Sequence, residues 1–519
     1  MGNVAILNAA SVRRWAFEPL VELGSQNSFQ RSAEFCRSAP DVSEVVVLCP
    51  PKADTAGSAA ADAWVDRAKI VEASEQEGLR VVDLDAPTTG ALFAALERLA
   101  VGHDHVIYAH ADTPLLDAAL LRTMYANHQR YHVDYSFADG YPLGLAAEVL
   151  RAESITAMAR LAADPTSAAT PLQRDSVFEV IKRDINAFDL ETEISPLDQR
   201  LLRVVLAMDS ARNAAQLRVA LAHGARDAAT AAAVLQEHPQ VMRSLPAYVS
   251  VQVVDGCPQA CSYCPYGVSL TSTGKTDEMA VERFAAIATQ IAEFCGDAML
   301  AVSLWGEPSL HSQFDELAAA VSELPGLQLL VETAGVGWDR GVLDRVAGLP
   351  RPPQWILSLD SSEASLYRQL RGEGYDEAVA TATHLLEIAP QRTYVQAVRM
   401  KENEEQLETF YRAWKEKTPN VIIQKYDRFA DTLPDRQVAD LSPLERHPCW
   451  HLKRDLAVLL DGSVPMCRED LRRDHLLGNL ETDGIAAVWE RGQEIHQRHL
   501  DQDYPEICRR CDEYYTYNN

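Results

Sequence analysis

From residue 248 onward, short apolar runs alternate with stretches that carry apolar residues at helical spacing. YVSVQVV, AMLAVSL, LQLLVET, QWILSLD, TYVQAVR and VIIQK read as strands. Between them, EMAVERFAAIATQIAEF, FDELAAAVSEL, VLDRVAG, DEAVATATHLLEI and EEQLETFYRAWKEK read as amphipathic helices. Strands and helices in alternation predict an α/β fold with a parallel sheet, doubly wound or an open barrel. In both architectures chemistry gathers at the C-terminal ends of the strands. Residues 1–199 hold another alternating set, with VAILN, EVVVLC, LRVVDLD and HVIYAH as strands. Residues 200–245 are rich in Ala, Leu and Arg without a strand signal and read as a helical connector ending near Pro246. A second domain is expected over 246–445. The remainder, 446–519, differs again, with short elements around a DGSV turn.

Composition narrows the class. Of the 519 residues, 47% are hydrophobic and 24% charged, the balance of soluble globular proteins. The formal charge is −27, which argues against a general nucleic-acid or anionic-membrane binder, since phosphate binding needs a positive surface. MGNVAILNAASVRRW lacks the apolar segment and cleavage site of a signal peptide. Gly2 is not followed by the Ser or Thr that myristoylation wants, and no stretch has the length of a membrane span. The expectation is a cytoplasmic protein, where clustered cysteines bind metal or do catalysis.

The cysteines then carry the chemistry. CPQACSYC places Cys257, Cys261 and Cys264 in one loop directly after the first strand of the 246–445 set. Zinc sites usually take ligands as two pairs, and thioredoxin-like chemistry needs only two thiols. Three close thiolates suit three corners of a 4Fe–4S cube, with one iron left for an outside ligand. Cys36, Cys49 and Cys295 read as small buried hydrophobes.

C-x3-C-x2-C after the first strand of a βα array, with Tyr263 before the third cysteine, resembles the signature of the radical S-adenosylmethionine (SAM) superfamily. The resemblance implies a partial (β/α)6 TIM-type barrel over 246–445. It also implies a 4Fe–4S cluster on Cys257, Cys261 and Cys264, and SAM as cofactor. Reductive cleavage of SAM would yield a 5′-deoxyadenosyl radical that abstracts hydrogen from substrate, the cofactor carrying the difficult step. LWGEP resembles the family's Gly-Glu-Pro motif, so Gly306, Glu307 and Pro308 are expected near the methionine ammonium. ETAG resembles its Thr-Asn-Gly turn, with Ala334 in place of Asn. Tyr263 is expected beside the adenine, Ser358 and Asp360 at ribose or the methionine carboxylate, Arg371 as a carboxylate partner. Gln396, Arg399 and Asn403 are expected to line the site.

Cys449, twelve residues, Gly462, four residues and Cys467, followed by GNL, a Trp-containing segment and Cys508-x2-Cys511, resembles the SPASM extension of radical SAM enzymes. Read bare, four thiols in two groups also fit zinc. The chain ends where the full SPASM pattern continues through further cysteines, so the resemblance implies one auxiliary 4Fe–4S cluster over 446–519. In some SPASM maturases an Asp directly after a cluster cysteine acts as base. Here Arg468 stands there, and Glu469 and Asp470 are the nearby candidates.

VAILNAASVRRWAFEPLVEL, SEVVVLCP and YAHADTPLLDAALL resemble nucleotidyltransferases of the GT-A-like type, an α/β sandwich expected over 1–199. The resemblance implies a divalent metal at Asp112. The first loop departs from the pattern: Asn8 to Arg14 contains no glycine, and Glu18 stands where Lys is expected. A domain that recognises a substrate or partner is therefore expected. The three regions in this order resemble spiro-SPASM proteins. The expected function is a radical SAM enzyme acting on a peptide or protein, reduced by a flavodoxin- or ferredoxin-type partner. A nucleotide-activated sugar or other small molecule is the alternative substrate. The alternative of another class is a non-catalytic metal-binding protein whose N-terminal domain recognises a ligand.

Overall fold

The structure, a computed structural model, describes residues 2–52, 65, 67–164, 168–266, 277–302 and 304–516. It divides into two compact units, Met1–Met242 and Arg243–Asn519. The helices Ala211–Ala222 and Ala228–Glu237, read from sequence as a connector, therefore belong to the first unit up to Met242.

The first unit is built on a seven-stranded sheet. Its strands are β1 (Asn3–Asn8), β2 (Val42–Cys49), β3 (Arg80–Asp83), β4 (His105–His110), β5 (Tyr135–Asp139), β6 (Glu148–Arg151) and β7 (Leu190–Ile194). The order is β3-β2-β1-β4-β6-β5-β7. β1 is buried at every position because helices cover both faces, which explains its unbroken apolar run. β1 pairs in parallel with both β2 and β4, so the winding reverses between β1 and β4. That reversal opens a crevice at the strand C-termini, the usual ligand position in doubly wound sheets.

The second unit carries another seven-stranded sheet. Its strands are β8 (Tyr248–Val251), β11 (Ala298–Val302), β12 (Leu327–Thr333), β13 (Gln354–Ser358), β14 (Thr393–Arg399), β15 (Val421–Lys425) and β16 (Asp455–Val458). Two short ribbons accompany it, β9 (Val254–Asp255) with β10 (Asp277–Glu278), and β17 (Ser463–Pro465) with β18 (Leu476–Asn479). The sheet runs β15-β14-β13-β12-β11-β8-β16, all parallel. From β8 to β15 the strands lie side by side in chain order, so the sheet is an open barrel and not doubly wound. The six expected strands are all present. The seventh, β16, comes from the C-terminal cysteine region and pairs with β8, closing one edge of the barrel. One core joins Phe284, Ile287 and Ile291 of the helix Val281–Cys295 to Val249, Leu300, Val331, Trp355 and Val395 of the sheet. This packed body fixes the strand ends on which the site is mounted.

Candidate functional site: a cysteine-lined cavity at the barrel mouth

A cavity of about 240 Å³ opens at the C-terminal ends of the barrel strands. Cys257, Tyr263 and Cys264 line it from the loop after β8, and Trp305 and Gly306 from the loop after β11. Ser358 ends β13, Gln396 lies in β14, and Gln424 and Lys425 end β15. Cys467 and Arg468 face the same space from the C-terminal region.

The cysteine loop is shaped by backbone bonds to the helix Ala364–Arg371. Ala260 N–H donates to the Arg371 carbonyl at 2.9 Å and Ser262 N–H to that of Leu370 at 2.8 Å. Burial raises all three thiols, Cys257 to about 12 and Cys264 to about 11. A redox dithiol needs the opposite shift, whereas a soft metal releases the proton on binding. No disulfide joins any of the ten cysteines.

Beneath the loop, Asp360 and Arg371 are 0% and 5% exposed and pair at 2.7 Å. The Tyr263 hydroxyl bonds to both. The second Asp360 oxygen accepts from Val398 N–H at 2.7 Å. Asn403 donates to the carbonyls of Asp360 (3.0 Å) and Val398 (2.8 Å). Asp360 sits at φ +62°, an unusual backbone held by Tyr263, Arg371, Gln396, Val398 and Asn403. This network sets the ring of Tyr263 against the cavity.

Glu307 is 3% exposed and accepts from the Thr333 hydroxyl and from Ala334 N–H at 2.8 Å. The replacement of Asn by Ala334 thus leaves the turn intact, because its backbone makes the bond. Burial pushes the Glu307 carboxyl up to about 7 despite these donors. Gly306 has φ +84°, and a Cβ there lies 2.2 Å from the Val254 carbonyl oxygen. Gly306→Ala is expected to lower stability by about 1–3 kcal/mol from backbone strain alone, with the clash added. Thermal unfolding of the purified variant checks this; an unchanged melting temperature would contradict it.

The remaining cysteines gather elsewhere in the same unit. Cys449, Cys467, Cys508 and Cys511 line one small cavity of about 20 Å³ with Arg446, His499 and Tyr514. Arg446 donates to the Cys508 carbonyl at 2.6 Å, and Cys511 Sγ accepts from Glu513 N–H at 3.3 Å. Four soft ligands around one enclosed space fit a fully ligated cluster. Cys467 faces this cavity and the larger one.

In the first unit, Asp112 lies just beyond β4, at the crevice beside β1. The Arg174 guanidinium donates to Asp112 at 2.8 Å and to Asp209 at 3.2 Å. The metal expected at Asp112 thus meets a cation already bound to both carboxylates, and the donor set does not fit one. Nearby, the Tyr135 hydroxyl donates to Glu148 at 2.8 Å, and burial raises the Glu148 carboxyl to about 7. Since the folded value lies above the ordinary 4.5, its contribution is complete below about pH 4.5 and is lost as pH rises through 7. Denaturant unfolding of the first unit is expected to weaken by on the order of 2–3 kcal/mol across that window. Glu148→Gln is expected to flatten the slope; an unchanged slope would assign it to another group.

Residues 251–413 match the radical SAM superfamily, residues 449–512 the SPASM iron-sulfur cluster-binding domain, and residues 11–176 the MobA-like NTP transferase domain. The chain belongs to the radical SAM superfamily. An uncharacterized protein of Treponema pallidum (strain Nichols) is 37% identical over 356 residues, 66% of this chain and 98% of its own length. GTP 3′,8-cyclase of Vibrio atlanticus (strain LGP32) is 27% identical over 175 residues, 33% of this chain and 51% of that enzyme. Streptococcus suis SuiB bound to precursor peptide SuiA is 14% identical, with TM-score 0.42, covering 65% of this chain and 78% of that one.

As a radical SAM protein with a SPASM domain, the chain uses SAM and two 4Fe–4S clusters. Cys257, Cys261 and Cys264 lie within electrostatic reach of one another, although Cys261 is not among the residues lining the cavity. The second group lines one space with four thiols. Donor sets of three and four fit an open and a closed cluster. Of the other sequence-expected residues in this radical SAM barrel, Tyr263, Gly306, Ser358 and Gln396 line the cavity. Asp360, Arg371 and Asn403 lie beneath it, and Pro308 is buried at the start of a short turn. Arg399 turns away and pairs with Glu404 at 2.5 Å. Asp470 holds its own loop, accepting from Asp474 N–H (3.0 Å) and His475 N–H (2.9 Å). Glu469 is buried against Arg468 on the SPASM side, burial raising its carboxyl well above the ordinary range.

Three carboxylate residues among those described line the cavity, Glu332, Asp427 and Asp455; Asp427 stands two residues after β15 and is bonded to Arg468 at 2.7 Å. Burial raises it to about 6, with the Glu513 charge adding to the shift. Lys425 joins it, paired with Asp512 at 2.8 Å and Glu513 at 2.5 Å. Nothing in YDRFAD marks Asp427 as special. Its only signal is position, at the C-terminal end of the sixth barrel strand. Among the described residues no helix is long and apolar enough to cross a membrane.

Proposed function

We propose that Cys257, Cys261 and Cys264 hold the SAM-binding cluster. In this reading Cys449, Cys467, Cys508 and Cys511 hold the auxiliary one, and the cavity between them receives a segment of a peptide or protein substrate. The observation that carries the reading is the shared lining: Cys257, Cys264 and Cys467 face one 240 Å³ space. When bound, SAM and the two clusters supply electron transfer and hydrogen abstraction, with a flavodoxin- or ferredoxin-type protein as reductant. The chain positions and shields. Tyr263, fixed by Asp360 and Arg371, forms the wall beside the adenine, while Ser358 and Gln396 offer hydrogen bonds to ribose or the methionine carboxylate. Trp305 and Phe429, whose rings lie 5.6 Å apart, close the apolar side against water. Lys425 and Arg468, each held by carboxylates, form the polar wall of the cavity, and Asp427 stands where it can take up a proton. A space of this size admits a side chain or a small molecule, not a folded domain. The match of residues 11–176 to an NTP transferase domain favours a second reading, a small-molecule substrate bearing a nucleotide.

Perdeuterated cell extract, split by size and incubated with the reduced enzyme and SAM, separates the two. Deuterium entering 5′-deoxyadenosine from the macromolecular fraction supports a peptide or protein; deuterium from the small-molecule fraction alone would replace that reading with the second. In parallel, Cys508→Ala is expected to keep about four irons per chain and still cleave SAM. Zinc at one per chain in the wild type, with no auxiliary iron, would overturn the auxiliary assignment.

A further inference from the structure

The first unit contains the parts of a phosphate- and metal-binding crevice, each already engaged by the protein itself. Arg174 Nη2 lies 2.8 Å from Asp112 Oδ2 and 3.2 Å from Asp209 Oδ2, bridging the two carboxylates. The second Asp209 oxygen accepts from the Asn213 amide at 2.8 Å, which leaves Asp112 Oδ1 as the one oxygen of the pair without a partner among the described residues. The Asp112 carbonyl accepts from Met208 N–H at 2.7 Å, fixing the Asp209 segment beside it. His110, whose carbonyl accepts from the Thr113 hydroxyl at 2.5 Å, is held neutral by burial, its imidazole lowered to about 3. Arg174 is therefore the cation at the centre of this group.

Hard divalent ions take about six oxygen ligands and tolerate no neighbouring cation in their first coordination layer. Here one free carboxylate oxygen remains, and a guanidinium stands between the two acids. A fixed Arg gives two hydrogen bonds in a geometry that matches paired carboxylates, so the arrangement is stable without an ion.

A second, independent observation concerns the loop after β1. A phosphate cradle needs backbone N–H groups directed outward. Ala9 N–H instead donates to the Leu48 carbonyl at 2.9 Å, Ala10 N–H to the Asn8 side chain at 3.0 Å, and Val12 N–H to the Ala9 carbonyl at 3.4 Å. Ala9, Ala10 and Val12 are all buried. Glu18 pairs with Arg218 at 2.5 Å. Three N–H groups of this loop, Glu18 and the paired carboxylates are thus engaged by internal bonds.

We propose that the N-terminal unit is a metal-free crevice in which Arg174 holds the place of a divalent ion between Asp112 and Asp209, so that the unit does not carry out metal-dependent nucleotidyl transfer. The test uses the full-length, anaerobically purified chain with its clusters, dialysed against Mn²⁺ and read by bound manganese per chain. Wild type, Asp112→Asn and Asp209→Asn are expected to bind equal amounts, since no manganese sits between these residues. Arg174→Ala is expected to gain one Mn²⁺ per chain, and Arg174→Ala with Asp112→Asn to lose it again. A wild-type chain that gives up one Mn²⁺ on Asp112→Asn or Asp209→Asn would overturn the proposal. An Arg174→Ala chain that keeps the wild-type circular dichroism and gains no manganese would overturn the role given to Arg174.

Discussion

Cys261→Ala is expected to abolish 5′-deoxyadenosine formation from SAM and dithionite, a loss on the order of a thousandfold or more. Iron is expected to fall from about eight to about four per chain, the auxiliary cluster remaining. The size of the effect follows from the donor count. A site with three thiols has no spare ligand, and the loop that carries them is anchored at Ala260 and Ser262 by its own backbone. Removing one sulfur therefore removes the cluster and not merely its tuning. Iron and product measured on the same sample separate this from misfolding: a misfolded chain loses the auxiliary iron too. A Cys261→Ala chain that retains cleavage would remove this loop from the chemistry.

Arg371→Met is expected to destabilise the second unit by about 3–5 kcal/mol, because it leaves the Asp360 carboxylate buried without its counter-charge. Asp360 is fully buried and Arg371 nearly so, so water does not take over the lost partner. The same change frees the Tyr263 hydroxyl from one of its two partners, and the KM for SAM is expected to rise more than kcat falls. Adding Asp360→Asn to Arg371→Met is expected to restore most of the stability by removing the orphaned charge. Denaturant unfolding of the two single variants and the double variant measures the coupling. Additive losses would show that the pair does not act as a unit.

The cysteine loop was legible in the sequence because its information is local: three thiols, one aromatic and a preceding strand. The barrel was legible for a related reason, since parallel strands buried on both faces leave unbroken apolar runs such as AMLAV. What escaped depends on contacts between distant segments. DLAV, the core of β16, is too short to announce a strand, and its pairing with β8 joins residues 455–458 to 248–251. The resemblance places Asp360 and Arg371 near the cofactor, but nothing local in either segment shows that the two pair with each other. Here the Arg371 guanidinium and Val398 N–H draw Asp360 in. Asp427 gains its environment from Arg468, Glu469 and Glu513, all remote in the chain. Asp112 is implied by the resemblance to nucleotidyltransferases, but Arg174 lies 62 residues away from it and 35 from Asp209. No local pattern reveals a guanidinium that bridges both.

The central claim is that this chain carries two iron–sulfur clusters on the two cysteine groups and cleaves SAM at the first. Anaerobic purification, analysis of iron, sulfide and zinc, and chromatography after addition of dithionite and SAM test it together. The expected result is about eight irons and eight sulfides per chain, with 5′-deoxyadenosine and methionine formed in equal amounts. Stoichiometric zinc with neither product would contradict it.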